Sequence, residues 1–568
     1  MREKRSGDAK LPLWKLSIII SALLLPMSAS TLAASHSKSP LSPGDTDHAP
    51  QSNEHNLHLL ERLSFGPRPG DLDYLNRVGS ERFIREQLNP QSLPEPSELK
   101  NRLYAFSTLR QSSPTLIHHY LPLLRQLREL QKAQKASTRS EGSANEKASA
   151  SVADDTHVDL DQLKTVRLQV KQPYFEASQA RLFRALQSPR QLQEVMTDFW
   201  YNHFNIFSEK ELDRFLISAY EEQAIRPYAL GRFRDLLGAT AHHPAMMIYL
   251  DNWENTDPNS PGVKGRFKGL NENYARELME LHTLGVDNGY TQKDVITLAK
   301  ILTGWGVVPT GKMLRQTISG SGFFFDINRH DTSNKVFLGK TIRGGGIDEG
   351  EKALDILAKH PATAHHISFQ LAQAFVSDTP SGSLVDALSK EYLASDGNIA
   401  AVLNTLFHRP EFWDSRNDGN KFKSPYRYVL SSIRASGIEV QNVFPLIATL
   451  QQMGMPLYGC LTPDGYKNTT EAWMSPDALT RRLNFATLFS RSSLGLSQAP
   501  PDFLTMGEGV PLKQAMKQAA QQGEAIDAMT VQSAYGKQFK AKTMDTVLNA
   551  PIALKAALLL GSPERMYY

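Results

Sequence analysis

Apolar residues recur every third or fourth position through most of the chain, the spacing of helices that bury one face. The pattern runs through IHHYLPLLRQLRELQKA, LDQLKTVRLQV, QLQEVMTDFWYNHF, RFRDLLGATA, KDVITLAKILTGW, HPATAHHISFQLAQAF, NIAAVLNTLF and SPYRYVLSSIRAS. Only SGSGFFFDINRHDTSNKVFLGKTIRGGG departs from it with strand-like content. There Phe323–Ile327 and Lys335–Leu338 are predicted to pair as a hairpin around residues 328–334, with His330 and Asp331 at its tip. Gly344, Gly345 and Gly346 then lead into a helix opened by Asp348, with Glu351 three residues on as a capping box. The predicted fold class is predominantly α: one large helical domain, a minor β-hairpin near 320–340 and long ordered loops.

Two stretches break the periodicity. Residues 35–53 are polar and rich in Ser and Pro, as expected of a flexible leader. Residues from about 132 to 158 carry small polar side chains and scattered charge between two helical flanks, as expected of a disordered insertion within one domain. The helical body is therefore placed at 54–568. Ahead of it, residues 1–34 pair a basic start with a short apolar run interrupted by Pro26, then small residues up to Ala33 and Ala34. This reads as a cleaved secretory signal, with an uncleaved anchor as the alternative. A periplasmic or extracellular location is expected in consequence, with no integral membrane span once the signal is removed.

Charge and cysteine content narrow the chemistry. A net charge of +4 on 568 residues, with no basic block beyond the N-terminus, argues against nucleic acid as a partner. Cys460 is the only cysteine, which excludes internal disulfides, c-type haem attachment and iron–sulfur clusters. The glycine run lacks the Lys-Ser/Thr of a phosphate-binding loop, so no nucleotide is expected. Any divalent metal would rest on His, Asp and Glu.

Candidate chemistry concentrates on two helices. In GLNENYARELMELHTLG, Asn273, Glu277 and Glu280 share a face and Arg276 lies one turn from Glu280, with His282 beyond and Gly285 closing the helix. In QLQEVMTDFWYNHFN, Glu194, Asp198 and Asn202 repeat at four-residue spacing, and His203 comes next among aromatic residues. Read as a site, Asp198, Asn202, His203, Asn273, Arg276, Glu277 and Glu280 are the catalytic candidates. His203, Glu277, Glu280 and His282 are the metal-ligand candidates. Read structurally, the same groups satisfy one another inside a helical core. His330, Asp331, Tyr466 and Trp473 are the substrate-binding candidates, the last two in a loop rich in Pro, Gly and aromatic residues. His55 and His58 flank Leu57 and are expected at the surface or at a cap.

The segments LSFGPRPGDLDYL, DFWYNHFNIF, GLNENYARELMELHTLGVDNGYTQKDV, LTGW, RHDTSNKVFLG and PLYGCLTPDGY resemble the domain-of-unknown-function 1800 family of exported bacterial proteins. The resemblance implies a large, predominantly helical body and an export signal. It also implies association with a sulfatase-like exported protein encoded nearby, but no reaction. Two functions stay open from the sequence. One is an envelope enzyme with a carboxylate/histidine site, with or without a metal; the other is a non-catalytic envelope protein acting with that sulfatase-like partner.

Overall fold

The computed structural model describes residues 53–143, 160–286, 288–313, 320–499, 525–536 and 538–568. The expected signal, all of the expected leader except Asn53, which opens the first helix, and most of the expected insertion lie outside these residues. Helices carry nearly all the regular structure, as the periodicity predicts. One apolar cluster runs from Leu57 to Met566, so segments from both ends of the described chain share a core. Its anchors are bulky and dry: Trp200, Trp305, Tyr220 and Tyr428 are fully buried.

The helices Ser113–Ser143 and Leu160–Gln187 pack together on a satellite cluster that includes Leu116, Tyr120, Leu124, Leu163 and Val166. The first of them runs to Ser143, beyond the boundary at 132 expected from composition, through residues of good helix propensity such as Ala133, Lys135 and Ala136. The residues expected to be disordered from 144 to 158 lie outside the described ones.

Two corrections concern the strands. β1 (Trp305–Val307) pairs antiparallel with β2 (Phe323–Phe325), and β3 (Lys335–Phe337) with β4 (Lys340–Ile342). The expected pairing of the 323–327 and 335–338 segments does not form. Its strands are three residues long, and the helix expected to run on through Trp305 stops at Ile301, which frees Trp305–Val307 as the partner. Gly304 makes that exit in the left-handed region at φ +80°, and a Cβ there would meet the Asp326 carbonyl at 2.5 Å.

The loop between β2 and β3 is accordingly not an exposed tip. His330 is buried, with Nε2 2.9 Å from Glu349 and Nδ1 2.8 Å from the Thr303 carbonyl oxygen. Lys335 donates to the other Glu349 oxygen at 2.7 Å. Burial pushes Glu349 up, but the hydrogen bonds from His330, Lys335 and Gly345 outweigh it and bring its pKa down to about 2. The start of the helix Ile347–Ala358 is capped by this Glu349, which accepts the N–H groups of Gly345 and Gly346 at 2.8 and 3.2 Å; the expected capping box of Asp348 and Glu351 does not form. Glu351 instead binds Arg234 at 2.8 Å and His242 at 2.7 Å. His58 is also interior, its Nδ1 2.9 Å from Asp418.

Candidate functional site

A cleft of about 350 Å³, within the usual range for small-ligand sites, opens where five helices meet one long loop. The helices are Leu160–Gln187, Gln191–His203, Asn273–Glu280, Pro361–Phe375 and Pro425–Ser436, and the loop spans 454–469. Asp198, Asn202, His203, Glu280 and Tyr466 line it. A second cavity, about 490 Å³, lies beside the Asn53–Leu63 helix and is lined by none of the candidate residues.

The Gln191–His203 helix acts as a hub. Its aromatic side chains bury it: Trp200 donates to the Ala229 carbonyl at 2.9 Å, and its ring meets those of Phe199, His203 and Phe204. Two amides, three residues apart in the chain, fasten the loop to the helix's C-terminal end. Asn202 donates to the Tyr466 carbonyl at 2.8 Å and accepts from the Tyr466 backbone N–H at 2.7 Å. Asn205 donates to the carbonyls of Cys460 and Thr462 at 3.1 and 2.9 Å. Gly465 makes the approach possible, since a Cβ there would sit 2.2 Å from the Asn202 carbonyl.

Beneath Asp198 lies a buried ionic network. Arg181 donates to Asp198 at 2.5 Å and to Glu221 at 3.2 Å. Arg226 binds Glu194 at 2.6 Å and Glu221 at 2.9 Å, and Arg184 closes the array on Glu222. Residues Glu221–Ile225 form a π-helical turn, which brings the consecutive Glu221 and Glu222 onto guanidinium groups together. Burial disfavours the charge on Glu222, but Arg184 and Arg226 outweigh it and hold its pKa below the usual value. Glu194 goes the other way, pushed up by burial despite Arg226 and Arg184. Tyr458 completes the network by donating to Glu221 at 2.9 Å, from a backbone held at φ +55°. Such a strained non-glycine residue persists only where its surroundings over-determine it.

The Asn273–Glu280 helix meets the cleft only at its end. It stops at Glu280, one turn short of the expected Gly285, and the chain winds through a wider turn in which the N–H of His282 reaches the Glu277 carbonyl at 3.1 Å. Gly285 still closes that turn at φ +90°, its N–H reaching the Met279 carbonyl at 3.2 Å. Two histidines cap the carbonyls left over. His203 Nε2 lies 3.1 Å from the His282 oxygen, and His366 Nε2 lies 3.2 Å from the Leu281 oxygen. For His203, donation to a carbonyl assigns the proton to Nε2, whereas His366 Nε2 also lies 3.1 Å from the side-chain nitrogen of Gln370. Burial, then the His366 ring, brings the His203 pKa down to about 3, so this ring is neutral. His282 is lowered further by burial and then by the rings of His203 and His366, and its Nε2 has no hydrogen-bond partner among the described residues.

The remaining candidates scatter. Glu277 is half-buried one turn behind Glu280, its pKa raised by burial, then by Glu280. Arg276 lies across the outer face, 3.1 Å from Glu272, 3.4 Å from Glu280 and 2.9 Å from Gln292. Asn273 donates to the Leu250 carbonyl at 3.2 Å. Trp473 packs against Tyr466 with ring centres 5.9 Å apart and donates to the Lys467 carbonyl at 2.7 Å. Neither it nor His330 and Asp331 line the cleft. Among the described residues, no three of His, Cys, Asp and Glu are grouped as metal ligands, and His203, Glu277, Glu280 and His282 do not converge on one point.

Several cleft residues escaped the sequence reading. His366, Gln370 and Gln373 form a polar stripe at i, i+4 and i+7 on an otherwise apolar helix, a signal that was present in the sequence. Arg181, Tyr426 and Arg427 carried none, being single polar groups in apolar or aromatic runs.

A family model described as protein of unknown function (DUF1800) matches residues 58–567. No curated protein and no solved structure matches the chain significantly.

Proposed function

Because the chain belongs to the DUF1800 family, whose description assigns no reaction, we propose a function from the cleft itself: an exported envelope enzyme that handles protons at a carboxylate site. One observation carries this reading. The cleft brings together Asp198 and Glu280, two carboxylates from different helices and in unlike surroundings. Asp198 is tied to Arg181 at 2.5 Å, a charge-assisted bond within a buried array. Glu280 has only the outer Arg276 at 3.4 Å, and the neighbouring Glu277 has its pKa raised. Paired carboxylates in contrasting environments are how acid and base roles are divided at one site. In this reading Asp198 accepts the proton, Glu280 delivers it, and the neutral His203 and His366 hold the turn that presents Glu280.

The test uses the signal-free protein and fractionated envelope material, with products read by liquid chromatography and mass spectrometry. The wild type is expected to generate new products, while Asp198→Asn and Glu280→Gln variants with unchanged melting temperature do not. Identical product profiles for wild type and variants would overturn the enzyme reading.

A non-catalytic binding protein acting with a sulfatase-like exported partner is the second reading. It is favoured by the internal commitment of Asn202, Asn205 and Arg276, which leaves few polar groups of the two helices facing the cleft. Retention of that partner by the wild type, in the absence of any turnover, is its expected signature.

A further inference from the structure

One wall of the cleft carries a cation with no paired carboxylate among the described residues. Arg427 lines the cleft from the helix Pro425–Ser436 and is only partly buried. Its Nη1 donates to the carbonyls of Glu61 and Ser64 at 2.7 and 2.8 Å, and its guanidinium lies 4.1 Å from the centre of the Tyr568 ring. No carboxylate pairs with it among the described residues, and Nη1 is its only side-chain nitrogen with a hydrogen bond there.

Its surroundings add to the excess of positive charge. Glu61 is shared by Lys423 at 3.0 Å and Arg565 at 3.5 Å. Arg62, fully buried behind Tyr568, rests on the Asn417 carbonyl at 2.5 Å and the Asn420 side chain at 2.9 Å, again with no carboxylate among the described residues. Of these four cations Glu61 pairs with two, and Asp418 is the other carboxylate whose charge reaches Arg62. A planar guanidinium with free N–H groups on a cleft wall, backed by further positive charge, is the geometry that selects an oxyanion, and a carboxylate in two-point contact above all.

Away from Arg427 the lining changes character. Gln370 and Gln373 lie on one helix and Asn468 and the partly exposed Tyr466 on the loop, and Asp198, Glu280 and Asp464, the last paired with Lys467, are its carboxylates. Amides and carboxylates accept and donate to hydroxyls, and an aromatic face covers the apolar side of a sugar ring. Phe199, Val286, Met455 and Leu457 add apolar surface to the same lining, against which the apolar faces of sugar rings can lie.

We infer that the cleft takes a saccharide bearing a carboxylate group, with the carboxylate on Arg427 and the hydroxylated rings along Gln370, Gln373 and Tyr466 towards Asp198 and Glu280. This rests on the enzyme reading only for the chemical step after binding; recognition itself needs neither carboxylate to react.

Isothermal titration calorimetry of the signal-free protein tests it, with trigalacturonate, an oligoguluronate and a hyaluronan tetrasaccharide as probes. Their carboxyl-reduced neutral counterparts and an oligoglutamate serve as controls. At least one acidic saccharide is expected to bind, with affinity at least 10-fold weaker after carboxyl reduction of the ligand. Arg427→Gln should reproduce that loss. Because Arg427 also ties two segments together, the reduced ligand on the wild-type protein is the decisive comparison should the variant misfold. Equal binding of the neutral counterparts, tighter binding of oligoglutamate, or no binding by any acidic saccharide would overturn the inference. The two readings fail separately. Carboxylate-dependent binding without turnover leaves this inference standing and removes the enzyme. Turnover of envelope fractions free of acidic sugars does the reverse.

Discussion

The helices Gln191–His203 and Asn273–Glu280 look alike in sequence, each mixing carboxylates and amides with a histidine at or just beyond its end, yet they do opposite things. On the first, nearly every polar group fastens another segment: Asp198 and Glu194 bind guanidinium groups, Asn202 holds the long loop and His203 holds a helix end. On the second, Arg276 and Glu280 lie on a partly solvated face and pair along their own helix. Depth does not separate them, since the Asp198 side chain is 32 % exposed and that of Glu280 24 %. The difference is set by what faces each helix: guanidinium groups and loop backbone from elsewhere in the chain meet the first, whereas the second is left to pair mainly with itself. Residue type alone says nothing of what will face it.

The comparison breaks most sharply at Arg181. Arg181→Met leaves Glu221 and Asp198 without their shared cation and is expected to cost about 3–5 kcal/mol in urea denaturation. Equal stability of variant and wild type would show that the array is not a joint.

Acidification probes the same helix. His203 has a folded-state pKa near 3 against an ordinary value of 6.5, so below pH 6.5 the unfolded chain binds a proton that the folded one does not. Stability is therefore complete above pH 6.5 and declines as pH falls towards 3, by about 1.4 kcal/mol per pH unit for this ring. Glu222, lowered by its arginines, adds its own loss once the pH falls below 4.5. His203→Gln should flatten the upper part of this slope in a pH series of denaturation curves.

Smaller effects are expected at the loop joint. Asn202→Ala strands two backbone groups of Tyr466 and should cost about 1–3 kcal/mol. Gly465→Ala, with its Cβ aimed at the Asn202 carbonyl and φ at +68°, should cost a similar amount. The double variant should cost less than the sum of the two, because both undo one contact. Least of all, Arg276→Ala on the second helix should change stability by under about 1 kcal/mol, as exposed pairs do. A loss there as large as that of Arg181→Met would erase the distinction between the helices.

The fold class and the stretches holding most of the cleft were legible because long amphipathic periods survive tertiary context. The start of the helix at Gln292 obeys local chemistry, with Thr291 and Asp294 in a capping box. Strand pairing was not legible, since a run of three phenylalanines fits more than one partner and its choice is made by the end of a distant helix. His330 misled for a related reason. A polar residue between two strands reads as a loop tip until Glu349 and Lys335, brought in from elsewhere, draw it inside. Arg181 and Arg427 were invisible because their partners lie 17 residues or more away in the chain.

The long loop has one further property. Its Cys460 is the chain's only thiol, buried in the cleft wall with its backbone carbonyl held by Asn205. Alkylation at this position requires the wall to part, so the reaction rate serves as a clock on local opening. Mass spectrometry of the intact protein then gives one mass step, at one place, with no engineered label. A bound molecule that closes the cleft will slow the clock, and the concentration that halves its rate will report occupancy before any product has been identified.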